Sequence, residues 1–287
     1  ICQALDDLDS KRGYDEEDAD AQLKLLLVGD FLQLPPVEEA FAFESPAWDR
    51  FTSLKLTTIR RQGDTRFIEA LQAIRRGEGR LAVPILQPCF AEVLDLEFKG
   101  TTILAKNDAV DRVNFLRHMK LPGPPYIYNT TRSGVQEKDW LKLIPNQLQL
   151  KKGALVMILS NKPYPKLDPS EMTQFEYVNG DLATVVGQTP EGIQVMLHRT
   201  FEEKIITPVV KEKKEATGKR NPRWLIKGTV TYMPLRLAYA TTVHKSQGLT
   251  LDEVQVSISD GFFMQPGMLY VALSRARTLE GLKIVGT

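Results

Sequence analysis

The chain has 287 residues, of which 43% are hydrophobic and 25% are charged, and its formal net charge is +1. This composition is that of a folded globular protein with room for two domains, or for one domain with an insertion. A net charge this close to zero gives no global electrostatic reason to expect nucleic-acid binding, so such a function has to rest on local clusters and motifs.

Cysteine usage and hydropathy exclude several other classes. The two cysteines, Cys2 and Cys89, have neither C-x-x-C spacing nor neighbouring histidine pairs, so we expect a reducing compartment, no disulfide framework and no zinc site. No apolar run approaches the roughly 20 residues that span a bilayer, so we expect a soluble protein with no membrane partner. Because the first residue is Ile1 rather than Met, we expect the chain to be part of a longer product.

The first predicted strand follows an acidic segment at residues 15–20. Residues 23–28 form a continuous apolar run that ends at Gly29, which predicts a buried parallel strand. Ligands bind beyond the carboxyl ends of such strands, so we expect residues 29–37 to lie at a functional edge.

Two helices and a second strand are predicted next. Residues 67–76 have helical periodicity and end before Gly77, which predicts an amphipathic helix. Residues 101–105 predict a strand and residues 108–119 a helix, and this succession indicates an α/β layer. The apolar positions in register are Phe67, Leu71 and Ile74 in the first helix and Val110, Val113 and Leu116 in the second.

Residues 153–234 have a different sequence pattern, with short runs rich in β-forming residues separated by Asn-Gly and Glu-Gly turns. They predict a small barrel inserted into the α/β domain. The charged run at residues 211–220 alternates in sign and predicts a solvated hairpin tip, with a DNA-facing role as the alternative. The β-rich runs lie at 154–159, 182–186 and 193–197, and further buried strands are predicted at 235–240, 254–258 and 282–285.

The loop at residues 29–37 carries a carboxylate, an aromatic ring and an amide, and two prolines stiffen it. Gln33 can hydrogen-bond a terminal phosphate or an attacking water. Phe31 can stack on a base, a contact worth roughly 1–3 kcal/mol. The alternative is a rigid turn with Phe31 in the core.

Basic residues mark two further candidate segments. Arg61 precedes the first helix, and Arg275 and Arg277 follow an apolar stretch; an arginine aimed at a transferring phosphoryl group is worth about 10³–10⁵ in rate. The alternative for any one of them is a surface ion pair. Residues 244–248, His-Lys-Ser-Gln-Gly, offer amides, a hydroxyl and two side chains suited to phosphates, although the histidine alone is equally compatible with a core position.

Two other patterns are set aside. No G-x-x-x-x-G-K-[ST] phosphate loop occurs in the chain. Asp252 and Glu253 resemble a magnesium-binding Asp-Glu pair, but their apolar lead-in is short, and we expect a solvent-facing loop there. His118 and His198 lack polar surroundings in the sequence and are interpreted as structural.

Taken in order, these segments resemble the superfamily 1B DNA helicases of the Pif type and their RecD and Dda relatives. The resemblance implies an α/β, RecA-like P-loop NTPase helicase fold, a parallel sheet with flanking helices, carrying an inserted Src-homology-3-like barrel that includes the turn at residues 177–181. Residues 1–58 would be the remnant of a first RecA-like domain, residues 59–152 and 235–287 the second, and 153–234 the barrel.

The resemblance also implies a role for each matched residue. Arg275 is expected as the arginine finger, Arg61 as the residue that reaches the terminal phosphate, and Gln33 as the phosphate sensor. The expected nucleotide-binding residues are Gly29, Asp30, Gln33, Arg61, Gly248 and Arg275. The expected DNA-binding residues are Phe31, Pro35, Asn107, Thr242, His244, Lys245 and Ser246.

The implied activity is that of an ATP-dependent 5′-to-3′ DNA helicase in DNA repair, recombination and telomere maintenance, with ATP and Mg²⁺ as cofactors. The magnesium ligands are expected upstream of Ile1, so the chain by itself is expected to be inactive. Expected partners are single-stranded DNA and duplex junctions, with a monomeric protein in a bacterial cytoplasm, nucleus or mitochondrion. The alternatives are a non-catalytic protein that binds single-stranded nucleic acid, and an RNA helicase or conjugative module.

Overall fold

A computed structural model describes residues 25–36, 39–165, 172–217, 223–258 and 265–286. The predictions for Cys2, for residues 15–20, for Val37 and for residues 218–220 therefore lie outside the described residues. The α-helices are α1 (Thr65–Arg75), α2 (Gly79–Leu86), α3 (Asn107–Lys120), α4 (Lys138–Leu143), α5 (Val243–Ser246) and α6 (Met268–Leu273). Short 3₁₀ turns occupy Ala42–Glu44, Trp48–Arg50 and Gln87–Cys89.

Seventeen strands are described, and they form one parallel sheet and several antiparallel ones. The strands are β1 (Phe90–Ala91), β2 (Thr101–Leu104), β3 (Tyr126–Asn129), β4 (Thr131–Gly134), β5 (Gln147–Leu150), β6 (Leu155–Ile158), β7 (Lys162–Pro163), β8 (Phe175–Tyr177), β9 (Leu182–Gln188), β10 (Ile193–Leu197), β11 (Glu203–Ile206), β12 (Val209–Thr217), β13 (Arg223–Tyr232), β14 (Leu235–Leu237), β15 (Ala240–Thr242), β16 (Val254–Ser257) and β17 (Leu282–Val285).

The parallel sheet has the order β1–β17–β16–β2–β15. Strands β2 and β16 are buried along their whole length, as expected for strands covered on both faces. Helix α1 begins at the Asp64 cap and buries Phe67 and Leu71 in the same core as the strands, so the amphipathic helix predicted here is confirmed. Helix α3 also confirms its prediction, except that Leu116 stays 39% exposed.

The strand predicted at residues 23–28 is wrong over the residues that are described. Residues 25–28 form no strand, and Leu26 and Val28 are 83% and 84% exposed. An apolar run becomes a buried strand only where neighbouring strands take up its backbone hydrogen bonds, and no described residue pairs with this segment.

The insert contains a five-stranded antiparallel sheet in the order β11–β10–β9–β6–β14, with β12–β13–β4 and β3–β5 beside it. The strands predicted at 154–159, 182–186 and 193–197 are confirmed as β6, β9 and β10. Strands β11 and β14 are the two edges of the larger sheet, so closure into a Src-homology-3-like barrel stays a prediction.

Sheet pairing departs from the predicted boundaries of the insert at 153 and 234. Strand β14 pairs with β6, and β4 pairs with β13, so residues on both sides of 153–234 join its sheets. The single strand predicted at 235–240 is in fact β14 and β15, which lie in different sheets. The chain crosses from the insert back to the parallel sheet between them.

The charged run predicted to be a hairpin tip instead lies mostly along a strand. Residues 211–217 belong to β12, which pairs with β13 over nine positions of a long hairpin. Within the described ranges, no helix combines the length and the apolar character needed to cross a membrane.

Candidate functional site

The candidate DNA-contacting residues meet at the carboxyl ends of two neighbouring parallel strands. Thr242 ends β15, whose neighbour β2 leads into Asn107 at the start of α3. The Thr242 hydroxyl accepts a hydrogen bond from the Lys245 amide at 3.3 Å and so caps α5. The Lys245 ammonium donates to Asn107 Oδ1 at 3.2 Å. Thus the fold brings together residues that are 138 positions apart.

The other members of this segment differ in accessibility. His244 is exposed, and its Nε2 lies 3.0 Å from Gln265 Oε1, so the core position considered for it is not observed. Ser246 is fully buried, and its hydroxyl donates to the Val243 carbonyl at 2.7 Å. Its side chain therefore stabilises the α5 turn and is not presented at the surface. Gly248 is exposed and has a φ of +86°, a conformation that favours glycine.

The loop at residues 29–36 packs on this segment. Asp30 accepts from the Leu32 amide at 3.1 Å, from Gln33 Nε2 at 3.2 Å and from Arg75 at 2.8 Å. Gln33 Oε1 in turn accepts from Gln247 Nε2 at 3.1 Å. The predicted phosphate sensor thus contacts the segment predicted to contact DNA.

Close packing against the loop requires glycine at position 267. Gly267 has a φ of +80°, and a Cβ there would lie 2.6 Å from the Gln33 carbonyl oxygen. Phe31 is 43% exposed and makes edge contacts with Phe43 and Trp48 at ring distances of 4.9 and 5.5 Å. Pro35 is partly buried on the same loop. Gly29 directly precedes the turn that begins at Asp30, and no atom would lie within 4 Å of a Cβ at this glycine.

Arg275 is a buried cation without a carboxylate partner among the described residues. The residue is 2% exposed, and its guanidinium donates to the carbonyl oxygens of Val271 and Leu249 at 2.8 and 3.3 Å and to the Ser274 hydroxyl at 2.7 Å. All three acceptors are neutral, so they leave its charge uncompensated. Burial, together with the charge of Arg61, lowers the pKa of Arg275 to about 10.

Arg61 shares Ser274 as a contact with Arg275 and is only partly buried. Its Nε donates to Thr250 Oγ1 at 3.0 Å, and Nη1 donates to the Ser274 carbonyl at 3.2 Å. Gln62, which is 6% exposed, donates to the same carbonyl at 3.1 Å. Burial lowers the pKa of Arg61 as well. Two arginines held by neutral acceptors create a local positive potential suited to a phosphate group.

The remaining candidates have ordinary structural surroundings. Arg277 pairs with Asp252 at 3.0 Å, and both are exposed, so the surface ion pair considered for an arginine of this segment is observed here. Asp252 and Glu253 lie in a solvent-facing loop, as predicted. His118 is buried, which lowers its pKa, and His198 Nε2 lies 2.8 Å from Thr184 Oγ1.

Sequence reasoning missed three amide side chains that organise the site. They join segments that are distant in the sequence. Only Gln247 lies within a predicted motif, the His-Lys-Ser-Gln-Gly segment at residues 244–248, and Gln62 directly follows the predicted site residue Arg61, so polarity beside basic residues was the available signal. No group of three or more His, Cys, Asp or Glu within the described ranges is placed to hold a metal ion. The three amides are Gln62, Gln247 and Gln265.

Comparisons with known proteins identify the family that this chain resembles in sequence. Residues 16–88 match the AAA domain family, and residues 237–281 match the UvrD-like helicase C-terminal domain family. The ATP-dependent DNA helicase PIF1 of Xenopus laevis is 36% identical over 293 residues, a match that covers 96% of this chain and 42% of the relative. The chain therefore spans less than half the length of that relative.

Solved structures of Pif1 helicases are also similar to this chain. The Pif1 helicase from Bacteroides in complex with ADP-AlF3 and single-stranded DNA has a TM-score of 0.62 at 28% identity, over 89% of this chain and 60% of that one. The Pif1 helicase from Candida albicans has a TM-score of 0.66 at 28% identity, over 90% of this chain and 63% of that one. The predicted RecA-like helicase fold is confirmed by these similarities.

Proposed function

Because the chain belongs to the Pif-type helicases of superfamily 1B, we propose that it works as part of a longer ATP-dependent DNA helicase that translocates 5′ to 3′ on single-stranded DNA and unwinds duplexes. The relatives matched in sequence are named as DNA helicases, and a similar solved structure contains a nucleotide analogue and single-stranded DNA. The observation that carries the proposal is that one continuous segment, residues 242–250, contacts both groups of candidate residues. Its Thr250 and Leu249 accept hydrogen bonds from Arg61 and Arg275, and its Lys245 donates to Asn107 at the strand ends.

The nucleotide end of this segment is cationic. Arg61 is the accessible arginine and would contact the terminal phosphate of ATP, while Arg275 lies behind it as the finger candidate and would reach the phosphate once the groups around it move. Gln33 would sense that phosphate or orient the attacking water. Such electrostatic contacts are the main source of rate in phosphoryl transfer. Gly29, Asp30 and Gly248 would shape the backbone around the nucleotide.

The other end of the segment would hold DNA. Asn107, His244 and Lys245 lie at one sheet edge and offer an amide, an imidazole and an ammonium to phosphates, the contacts that position nucleic acid without reading sequence. Thr242 is only 4% exposed, so it would contribute through the cap that its hydroxyl gives α5. Phe31, with Pro35 beside it, would offer a face to a base. Ser246 would contribute only through the turn that its buried hydroxyl stabilises.

The contact between Gln33 and Gln247 offers a route for coupling. Binding of ATP would draw Gln33 toward the phosphate and change its bond with Gln247, two residues from Lys245. Nucleotide state would thereby alter the grip on the DNA backbone, and alternating grips would move the strand. The donor set fits the phosphates of ATP. It does not fit Mg²⁺, because no group of three or more His, Cys, Asp or Glu among the described residues is placed to hold a metal ion. Action at duplex junctions and a monomeric state belong to the same proposal.

The test is Arg61→Ala in the intact protein, with Arg60→Ala as the matched control. Arg60 is the exposed neighbouring arginine. We expect Arg61→Ala to lower DNA-stimulated ATP hydrolysis by about 10³-fold or more, while affinity for a fluorescent ATP analogue falls far less. Arg60→Ala should behave as wild type. Equal losses of binding and hydrolysis in Arg61→Ala would contradict the assignment, and an intact protein that binds single strands without hydrolysing ATP would favour the non-catalytic alternative.

A further inference from the structure

Arg75 lies in the last turn of α1 and is not among the predicted site residues. Leu71, four residues earlier, is 2% exposed and belongs to the same core as Val271 of α6. Residues four apart share one face of a helix, so Arg75 follows Leu71 on the face that meets α6. Its guanidinium carbon lies 5.7 Å from the centre of the Tyr270 ring, within range of a cation–π contact. The side chain is thus held against the helix that leads to Arg275.

Arg75 also binds the loop at residues 29–36. Its Nη2 donates to Asp30 Oδ1 at 2.8 Å, and the two side chains are only 27% and 22% exposed. The same carboxylate accepts from the Leu32 amide through Oδ1 and from Gln33 Nε2 through Oδ2. Arg75 therefore holds the carboxylate that stabilises the turn of this loop.

The Asp30 carboxylate determines which way the side-chain amide of Gln33 points. An ionised carboxylate only accepts hydrogen bonds, so the Nε2 group of Gln33 faces Asp30 at 3.2 Å. Gln33 Oε1 is then left to accept from Gln247 Nε2 at 3.1 Å. Without a fixed carboxylate the Gln33 amide would be free to turn, and its bond to Gln247 would no longer be favoured. Contacts therefore run without a break from Arg75 to the segment at residues 242–250.

The Tyr270 ring also lies near the two arginines proposed to contact ATP. Burial lowers the pKa of Arg61 and of Arg275, and an interaction with the Tyr270 phenol partly offsets this effect in both. Tyr270 is thus close to the arginine cluster at the same time as it supports Arg75. One side chain, Arg75, contacts both the ring beside the arginine cluster and the loop that carries Gln33.

The stability of α1 does not explain why an arginine occupies position 75. Arg75 Nε is buried and has no hydrogen-bond partner among the described residues, and an unsatisfied buried donor costs stability. A positive charge at the carboxyl end of a helix is favourable, but Arg76 already supplies one. Arg76 pairs with Glu78 at 2.8 Å on the surface, where the two side chains are 56% and 47% exposed.

We propose that Arg75 is a positioning residue that holds Asp30 and Gln33 beside the arginine cluster, so that a change in nucleotide state reaches Gln247 and the DNA-contacting residues next to it. The inference rests on the proposed function, because Gln33 can sense a phosphate only if ATP binds at this site. Coupling between two binding sites of a protein typically amounts to about 5- to 150-fold. The loss of Arg75 should therefore have an effect of that size on the coupling.

The experiment measures ATP hydrolysis by the intact protein with and without oligo(dT). We expect Arg75→Met, which keeps a long side chain but removes its charge, to lower the stimulation of kcat by DNA by about 5- to 150-fold. The KM for ATP should stay close to the wild-type value, because a positioning residue does not contact the nucleotide. Arg75→Lys, which keeps a charge beside Asp30, should retain more of the stimulation than Arg75→Met.

Arg76→Met is the matched control, because it removes the neighbouring arginine and a charge at the same end of the helix. Its hydrolysis should be stimulated as in wild type. Wild-type stimulation in Arg75→Met, or an equal loss in Arg76→Met, would overturn the inference. So would an equal fall of hydrolysis with and without DNA in Arg75→Met, since a damaged fold lowers both alike.

Asp30→Asn tests the route and does not depend on the folding of Arg75→Met. It removes the charge that Arg75 binds with little change in volume, so we expect the same loss of stimulation. The double variant should lose no more than either single variant, because both act on one chain of contacts. Losses that multiply in the double variant, or wild-type stimulation in Asp30→Asn, would show that Arg75 does not act through Asp30 and would overturn the inference.

Failure of the two proposals can be told apart by measuring binding as well as hydrolysis. The affinity for labelled oligo(dT) is measured by fluorescence anisotropy with and without a non-hydrolysable ATP analogue. If wild type hydrolyses ATP and Arg75→Met keeps the coupling by both measures, the inference is wrong and the proposed function stands. If wild type does not hydrolyse ATP, but the analogue changes its affinity for the strand and Arg75→Met abolishes that change, the inference stands and the helicase function is wrong.

Discussion

At the scale of single residues, the charged groups of the site are held by neutral partners. Arg275 is enclosed by two carbonyl oxygens and a hydroxyl, and Arg61 by a carbonyl and a hydroxyl. A carboxylate in that position would stabilise the folded chain but would also neutralise the potential that attracts phosphate. The arrangement therefore favours ligand binding over stability.

This balance predicts the behaviour of Arg275→Met. Burial lowers the pKa of Arg275 from its ordinary value to about 10, which corresponds to a cost of the order of 3 kcal/mol for the charged form, and three hydrogen bonds of about 1 kcal/mol each offset it. We expect the substitution to change the free energy of unfolding at pH 7 by less than about 1 kcal/mol, measured by urea denaturation. A loss of 3 kcal/mol or more would mean that the buried charge is net stabilising.

The stability difference between wild type and Arg275→Met should change with pH in one direction. Below pH 10 the guanidinium is charged in the folded and unfolded states, and its burial costs stability in full. As the pH rises above 10 toward the ordinary pKa of arginine, the folded protein gives up the proton before the unfolded chain does, so the cost is relieved. Wild type should therefore gain stability relative to Arg275→Met in this window.

At the scale of elements, a turn of the insert packs against the segment that holds Arg275. The turn at residues 177–181 is closed by Asp181, which accepts from the Val178 amide at 3.0 Å and pairs with Arg199 at 3.1 Å. Gly180 in this turn faces Leu249, whose carbonyl accepts from Arg275. The insert and the arginine cluster are thus in direct contact through one leucine.

Gly180→Ala tests this contact. Gly180 has a φ of +99°, and a Cβ there would lie 2.9 Å from Leu249 Cδ2. A left-handed backbone costs an alanine about 1–2 kcal/mol, so we expect a loss of that size in the free energy of unfolding, together with slower ATP hydrolysis in the intact protein. Gly187→Ala is the control, because its nearest atom would be 3.8 Å away. Equal stability of the two variants would mean that the turn does not need glycine.

At the scale of the whole molecule, the charge is nearly balanced. With a net charge of +1, the chain has no general attraction for DNA, so affinity must come from a few placed cations. Each phosphate contact on a single strand contributes about 0.7 to the slope of log affinity against log salt. The measured slope therefore gives the number of phosphate contacts that the folded protein makes with a single strand.

We accordingly expect Lys245→Ala to reduce that slope by about 0.7 and to weaken binding to single strands of any sequence alike, measured by anisotropy between 50 and 200 mM salt. Lys138→Ala, which removes an exposed lysine on α4, should leave the slope unchanged. An unaltered slope in Lys245→Ala would remove this residue from the DNA-contacting set.

The amino-acid sequence by itself determined the motifs and their order, helices α1 and α3, and strands β2, β6, β9 and β10, because each depends on a local pattern of apolar positions, caps and turns. Tertiary structure alone decided that residues 25–28 form no strand, that residues 235–240 divide between two sheets, and that Gln33 contacts Gln247 across 214 positions. It also decided that Arg275 is enclosed and Arg61 accessible. Burial depends on which distant segments pack around a side chain, and the local pattern of apolar residues does not predict those segments.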